Sequence, residues 1–63
     1  MLVKLKWLEN GKMMKKECSL KDAIMEALDM VRFDNHEFEF ISICYQDEKI
    51  LTLEDIAEIC SQI

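Results

Sequence analysis

In LVKLKWLE apolar and charged residues alternate, the period of a strand with one buried face. KMMKKECS runs back after Asn10-Gly11, a dipeptide suited to a two-residue type I′ turn because both turn positions take positive φ. With those two residues as the loop, Trp7 faces Met14, Leu5 faces Lys16 and Val3 faces Cys18 on one side. Apart from Lys16, that is the expected core side. The other side carries Leu8 with Met13, Lys6 with Lys15, and Lys4 with Glu17.

The period then changes from two to between three and four. Ser19 reads as an N-cap with Asp22 three residues on, and Leu20, Ala23, Ile24, Ala27, Leu28 and Val31 form one apolar stripe of a helix. FDNH reads as a loop. A strand from about Glu37 to Tyr45, a turn in QDEK and a short strand ILT lead to a second helix, TLEDIAEICSQI, capped by Thr52 with Asp55. Its expected apolar stripe is Leu53, Ile56, Ala57, Cys60 and Ile63. The elements add up to a single α+β domain over residues 1–63, a two-layer ββαββα with a mostly antiparallel sheet and both helices on one face. SLKDAI and TLEDIA each open a helix after a hairpin, a hint of an internal repeat.

EFEFISICYQ changes phase halfway. Phe38 and Phe40 share a side with Ser42 and Cys44, whereas Ile41, Ile43 and Tyr45 fall with Glu37 and Glu39. If the phenylalanines face the helices, Ile41, Ile43 and Tyr45 join Leu8 and Met13 on an open sheet face, an apolar interface for a second copy or a partner. Two other readings stay open: a β-bulge near Phe40 and Ile41 that turns the isoleucines inward, and simple exposure of scattered apolar atoms.

Composition narrows the classes of function. With one Gly, no Pro and 51% hydrophobic residues, the chain is expected to be ordered, and at 63 residues it buries one modest core. No apolar run reaches the ~18 to 20 residues of a membrane span, and none marks a signal peptide, so a cytoplasmic protein is expected. Cys18, Cys44 and Cys60, an odd set without a C-x-x-C pair, read as reduced thiols in phase with core residues. His36 has no ligand or nucleophile fixed beside it, and no phosphate loop, nucleophile elbow or calcium loop occurs. No enzyme, metal site or cofactor is expected.

Charge is uneven along the chain. Residues 1–18 hold five lysines and two glutamates, net +3, and residues 19–63 hold three basic and eleven acidic residues, net −8. Lys4, Lys6, Lys12, Lys15 and Lys16 invite a nucleic-acid reading, but Trp7 lies on the core side, Arg32 is the sole arginine and the net charge is −5. Direct nucleic-acid binding is not expected. The acidic candidates are Asp22, Glu26, Asp29, Glu37, Glu39, Glu54, Asp55 and Glu58, joined by Asp34. They either keep the helix exteriors soluble or present carboxylates to a basic protein surface built for phosphates. Met13, Met25 and Phe33 fall outside the expected core faces and are further contact candidates.

Taken together, VKLKWLENGKMMKKECS, SLKDAIMEAL and FEFISICYQDEKIL resemble the small accessory proteins of phages and mobile elements of low-GC bacteria, a class that includes anti-CRISPR and other anti-defence inhibitors. That resemblance implies stoichiometric binding to a host nuclease or other defence factor. It carries no functional residue over, because the class has no common motif. The expectation is an acidic protein-binding inhibitor of a nucleic-acid-handling partner; the alternative is a homo-oligomeric structural or assembly module.

Overall fold

Asn10 and Gly11 take φ of 53° and 82° and close the first hairpin, β1 (Leu2–Glu9) with β2 (Lys12–Ser19). The register is the expected one, from Glu9 opposite Lys12 through Trp7 opposite Met14 to Leu2 opposite Ser19. The structure is a computed structural model that describes residues 1–32 and 38–62. The expected loop residues Phe33, Asp34, Asn35 and His36, the candidate Glu37 and the terminal Ile63 lie outside the described residues.

Helix α1 (Leu20–Arg32) follows at once, with Ser19 Oγ accepting the Asp22 N–H at 3.2 Å. Strands β3 (Phe38–Tyr45) and β4 (Glu48–Thr52) make the second hairpin. Its turn is shorter than expected: Gln46 and Asp47, at φ of 51° and 66°, make a two-residue turn, and Glu48 and Lys49 already belong to β4. Helix α2 (Leu53–Gln62) starts at a reciprocal capping box. There Asp55 Oδ2 accepts the Thr52 N–H at 2.9 Å, and Thr52 Oγ1 accepts the Asp55 N–H at 3.4 Å.

The four strands form one antiparallel sheet in the order β2-β1-β3-β4, so the two ββα units meet at β1 and β3. Both helices cover the same face. From the sheet, Val3, Leu5, Phe40 and Ile43 are buried against Ala23 and Ala27 of α1 and Ile56 of α2. Alanines at that contact let α1 approach the strands closely. The stripe expected on α2 is rotated: Ile59 and Cys60 turn toward the interior with Ile56, while Ala57 is exposed and Leu53 is 45% exposed.

One irregularity decides which face each β3 side chain takes. Trp7 opposes Phe40 but Lys6 opposes Ser42, so Ile41 is an extra residue with no partner on β1. That bulge resets the alternation. Phe40 and Ile43, three apart, both face the helices, and Ser42 and Cys44 go to the uncovered face opposite Lys6 and Lys4.

Candidate binding surfaces

The apolar interface expected on the open sheet face does not assemble. Ile43 is 0% exposed, packed with Leu5 in the core, because the bulge turns it inward. Ile41 is half-buried at the bulge. Leu8 and Met13 stay on the open face near the Asn10-Gly11 end, whereas Tyr45 is at the opposite end. Leu8 opposes Glu39 and Cys44 opposes Lys4, which puts Tyr45 about 17 Å along the strands from Leu8. Tyr45 also shares the phase of Ile43 rather than that of Leu8.

Lysines occupy that face instead. Alternation from buried Val3 and Leu5 places Lys4 and Lys6 outward, and the registers bring Lys15 beside Lys6 and Lys49 beside Cys44. Short side chains fill the centre: Ser42 and Cys44 are buried there, Oγ to Sγ 3.6 Å, flanked by the longer lysine stems. Among the described residues, Glu17 and Glu39 are the acidic ones of this face. The sequence pattern contained Lys4, Lys6 and Lys15 on one side of the first hairpin. Lys49 was missed because nothing in the local pattern fixes β4 beside β3 with a register shift at Ile50.

The acidic candidates divide among several places. Asp22 and Asp29 are exposed on α1, where Lys21 and Arg32 are exposed beside them and leave that exterior near neutral. Glu54, Asp55 and Glu58 are exposed on α2 with no basic residue on the helix, and Asp55 is engaged in the cap. Glu39 is exposed on the open side of the sheet, away from the helices, because it opposes Leu8. Glu26 is turned toward β2: its Oε1 accepts the Lys16 Nζ at 3.0 Å, the only ion pair among the described residues. The expected acidic face is thus narrowed to the exterior of α2, since that of α1 is near neutral.

That pair organises the adjoining chemistry. The Glu26 carboxylate, hydrogen-bonded and opposite in charge, holds the Lys16 ammonium above its ordinary value. Burial pushes the nearby Cys18 thiol up, and Glu26 adds to the effect. A raised thiol pKa works against a nucleophilic role for Cys18. Trp7 packs against the core, so it offers no stacking platform on the open face. A cleft of about 290 Å³ opens at the Gln46-Asp47 end, lined by Leu2, Val3, Lys4, Glu17, Cys44, Tyr45, Gln46 and Asp47, at the lower limit for a small-molecule site. Among the described residues no three metal-ligating side chains gather, and no helix is long and apolar enough to cross a membrane. Compared with protein-family models, with curated proteins and with solved structures, the chain matches none.

Proposed function

We propose that the chain is a non-catalytic binding module that inhibits or modulates a larger nucleic-acid-handling protein by stoichiometric association, the acidic helix exterior occupying a basic surface of that partner. The observation that carries this reading is the separation of charge between layers. Glu54 and Glu58 stand exposed on α2, a helix with no basic residue, without an ion-pair partner among the described residues, whereas Lys4, Lys6, Lys15 and Lys49 lie on the far face of the sheet. Carboxylates spaced along a helix meet a phosphate-binding groove by charge complementarity and exclude the nucleic acid by competition. Three unpaired cysteines are in keeping with a reducing, cytoplasmic setting. A homodimer through an apolar sheet face, the competing reading, no longer has Ile43 to rest on.

The test is titration of an arginine-rich peptide into the folded chain over a series of salt concentrations. Glu54→Lys with Glu58→Lys should weaken binding at least tenfold while the circular dichroism stays native. Unchanged affinity would remove α2 from the mechanism.

A further inference from the structure

From the open face of the sheet we infer that this chain also binds the phosphate backbone of a nucleic acid directly, without regard to base sequence. Lys4, Lys6 and Lys15 occupy neighbouring positions on β1 and β2, and Lys49 extends the set across β3 to β4. None of the four makes an ion pair among the described residues, and Lys6 stands directly opposite Lys15, a like-charge pairing that destabilises a sheet until an anion sits over it. Lys4 and Lys6 are two residues apart on one strand face, about 6.8 Å, a spacing comparable to that of successive phosphates along an extended nucleic-acid strand. A backbone with one charge per nucleotide meets every lysine of such a face. An acidic polypeptide does so only where its own sequence places carboxylates.

Two features set the mode of binding. Among the described residues no aromatic side chain lies on this face, Trp7 being on the core side, so bases find no stacking partner there and phosphates supply the affinity. The acidic exterior of α2 lies across a molecule whose shortest extent is 16 Å. That exceeds the screening length of about 8 Å at physiological salt, so the overall charge of −5 does not prevent local attraction at the sheet. Glu17 on β2 stands directly opposite Lys4 and Glu39 lies at the Leu8 end of β3, and together they confine the site to the rows of Lys4 and Lys6.

The experiment is fluorescence anisotropy of a labelled mixed-sequence oligonucleotide titrated with the purified chain at several salt concentrations, alongside a scrambled oligonucleotide and labelled poly-glutamate. Expected are equal affinities for both oligonucleotides and a slope of log K against log salt of about −3, from four lysines at −0.7 to −0.9 each. Lys15→Glu should weaken binding at least tenfold and flatten the slope. It also places an opposite charge beside Lys6, so it leaves the fold intact and separates binding from stability. Glu54→Gln with Glu58→Gln should change nothing here, so this surface and the α2 surface stand or fall separately. Full binding by Lys15→Glu and Lys4→Glu, or no binding at low salt, would overturn the inference. Lysine-dependent binding of poly-glutamate at equal strength would make an acidic polypeptide the occupant, and self-association lost in Lys15→Glu would make it a second copy.

Discussion

The two ββα units share one element order but are finished differently. In the first, β1 and β2 pair over eight residues each without interruption, α1 runs for 13 residues, and two of its alanines are fully buried. In the second, β4 has five residues, its pairing with β3 shifts at Ile50, and the ten-residue α2 fully buries only Ile56. The second unit compensates locally, since its Thr52–Asp55 cap is reciprocal where Ser19 makes a single bond. Regular pairing thus makes the first unit the scaffold. Irregular pairing lets the second fit onto it: the bulge at Ile41 lets Phe40 and Ile43 both reach the core and leaves Ser42 and Cys44 as a low floor among the lysines.

The largest expected effect breaks the seam between the units. Leu5 and Ile43 oppose one another across β1 and β3, both fully buried. Ile43→Lys would bury an unpaired charge and should cost more than about 4 kcal/mol, enough to unfold a domain of this size at any concentration. Ile41→Lys, at the bulge, should cost less than about 1 kcal/mol. Urea denaturation followed by circular dichroism measures both. A folded, monomeric Ile43→Lys protein would restore the straight strand with its isoleucines on the open face.

A smaller effect, of opposite sign in the two units, comes from the turns. Both hairpins use two residues at positive φ, but the first has Asn10-Gly11 and the second Gln46-Asp47. Nothing lies within 4 Å of a Cβ added at Gly11, so Gly11→Ala tests backbone strain alone and should destabilise by about 1 kcal/mol. Asp47→Gly should stabilise by about 0.5 kcal/mol, the relief of left-handed strain being partly offset by a more flexible unfolded chain. The urea midpoint at unchanged slope reports each. Equal signs would mean that the second turn opens in solution.

The same contrast explains what could be read from the sequence. In the first unit, alternation, a strong turn dipeptide and a cap each pointed the same way, so the register of β1 with β2 was legible residue by residue. In the second, the fold class and the element order were legible, but the face of each β3 side chain was not. A bulge leaves the hydrophobic pattern with two phases and does not say which wins; here the contact of Leu5 with Ile43 decides, a matter of packing between units. Orientation of α2 was lost similarly, since Leu53 and Ala57 fit a helical stripe yet are exposed, while Ile56 and Ile59 are the residues that pack on the core. The lysine face was half legible, its Lys49 depending on β4.

The smallest expected effect returns to the first unit, through Lys16 and Cys18 on β2. Each holds its proton more tightly in the folded protein, Lys16 chiefly through the hydrogen bond to Glu26 and Cys18 chiefly through burial. A raised folded-state pKa gives stability that is complete below the unfolded value and lost as pH rises through the folded one. Stability should therefore begin to fall near the ordinary thiol value of 9.0 and go on falling past the ordinary lysine value of 10.5. Cys18→Ala should flatten the earlier part of that decline and Lys16→Met the later part, each by less than either turn substitution moves the midpoint. Urea midpoints measured from neutral to strongly alkaline pH separate the two. A wild-type profile with no alkaline decline would mean that β2 and α1 are not held together by Lys16 and Glu26 in solution, leaving Ala23 and Ala27 to fix the helix by packing alone.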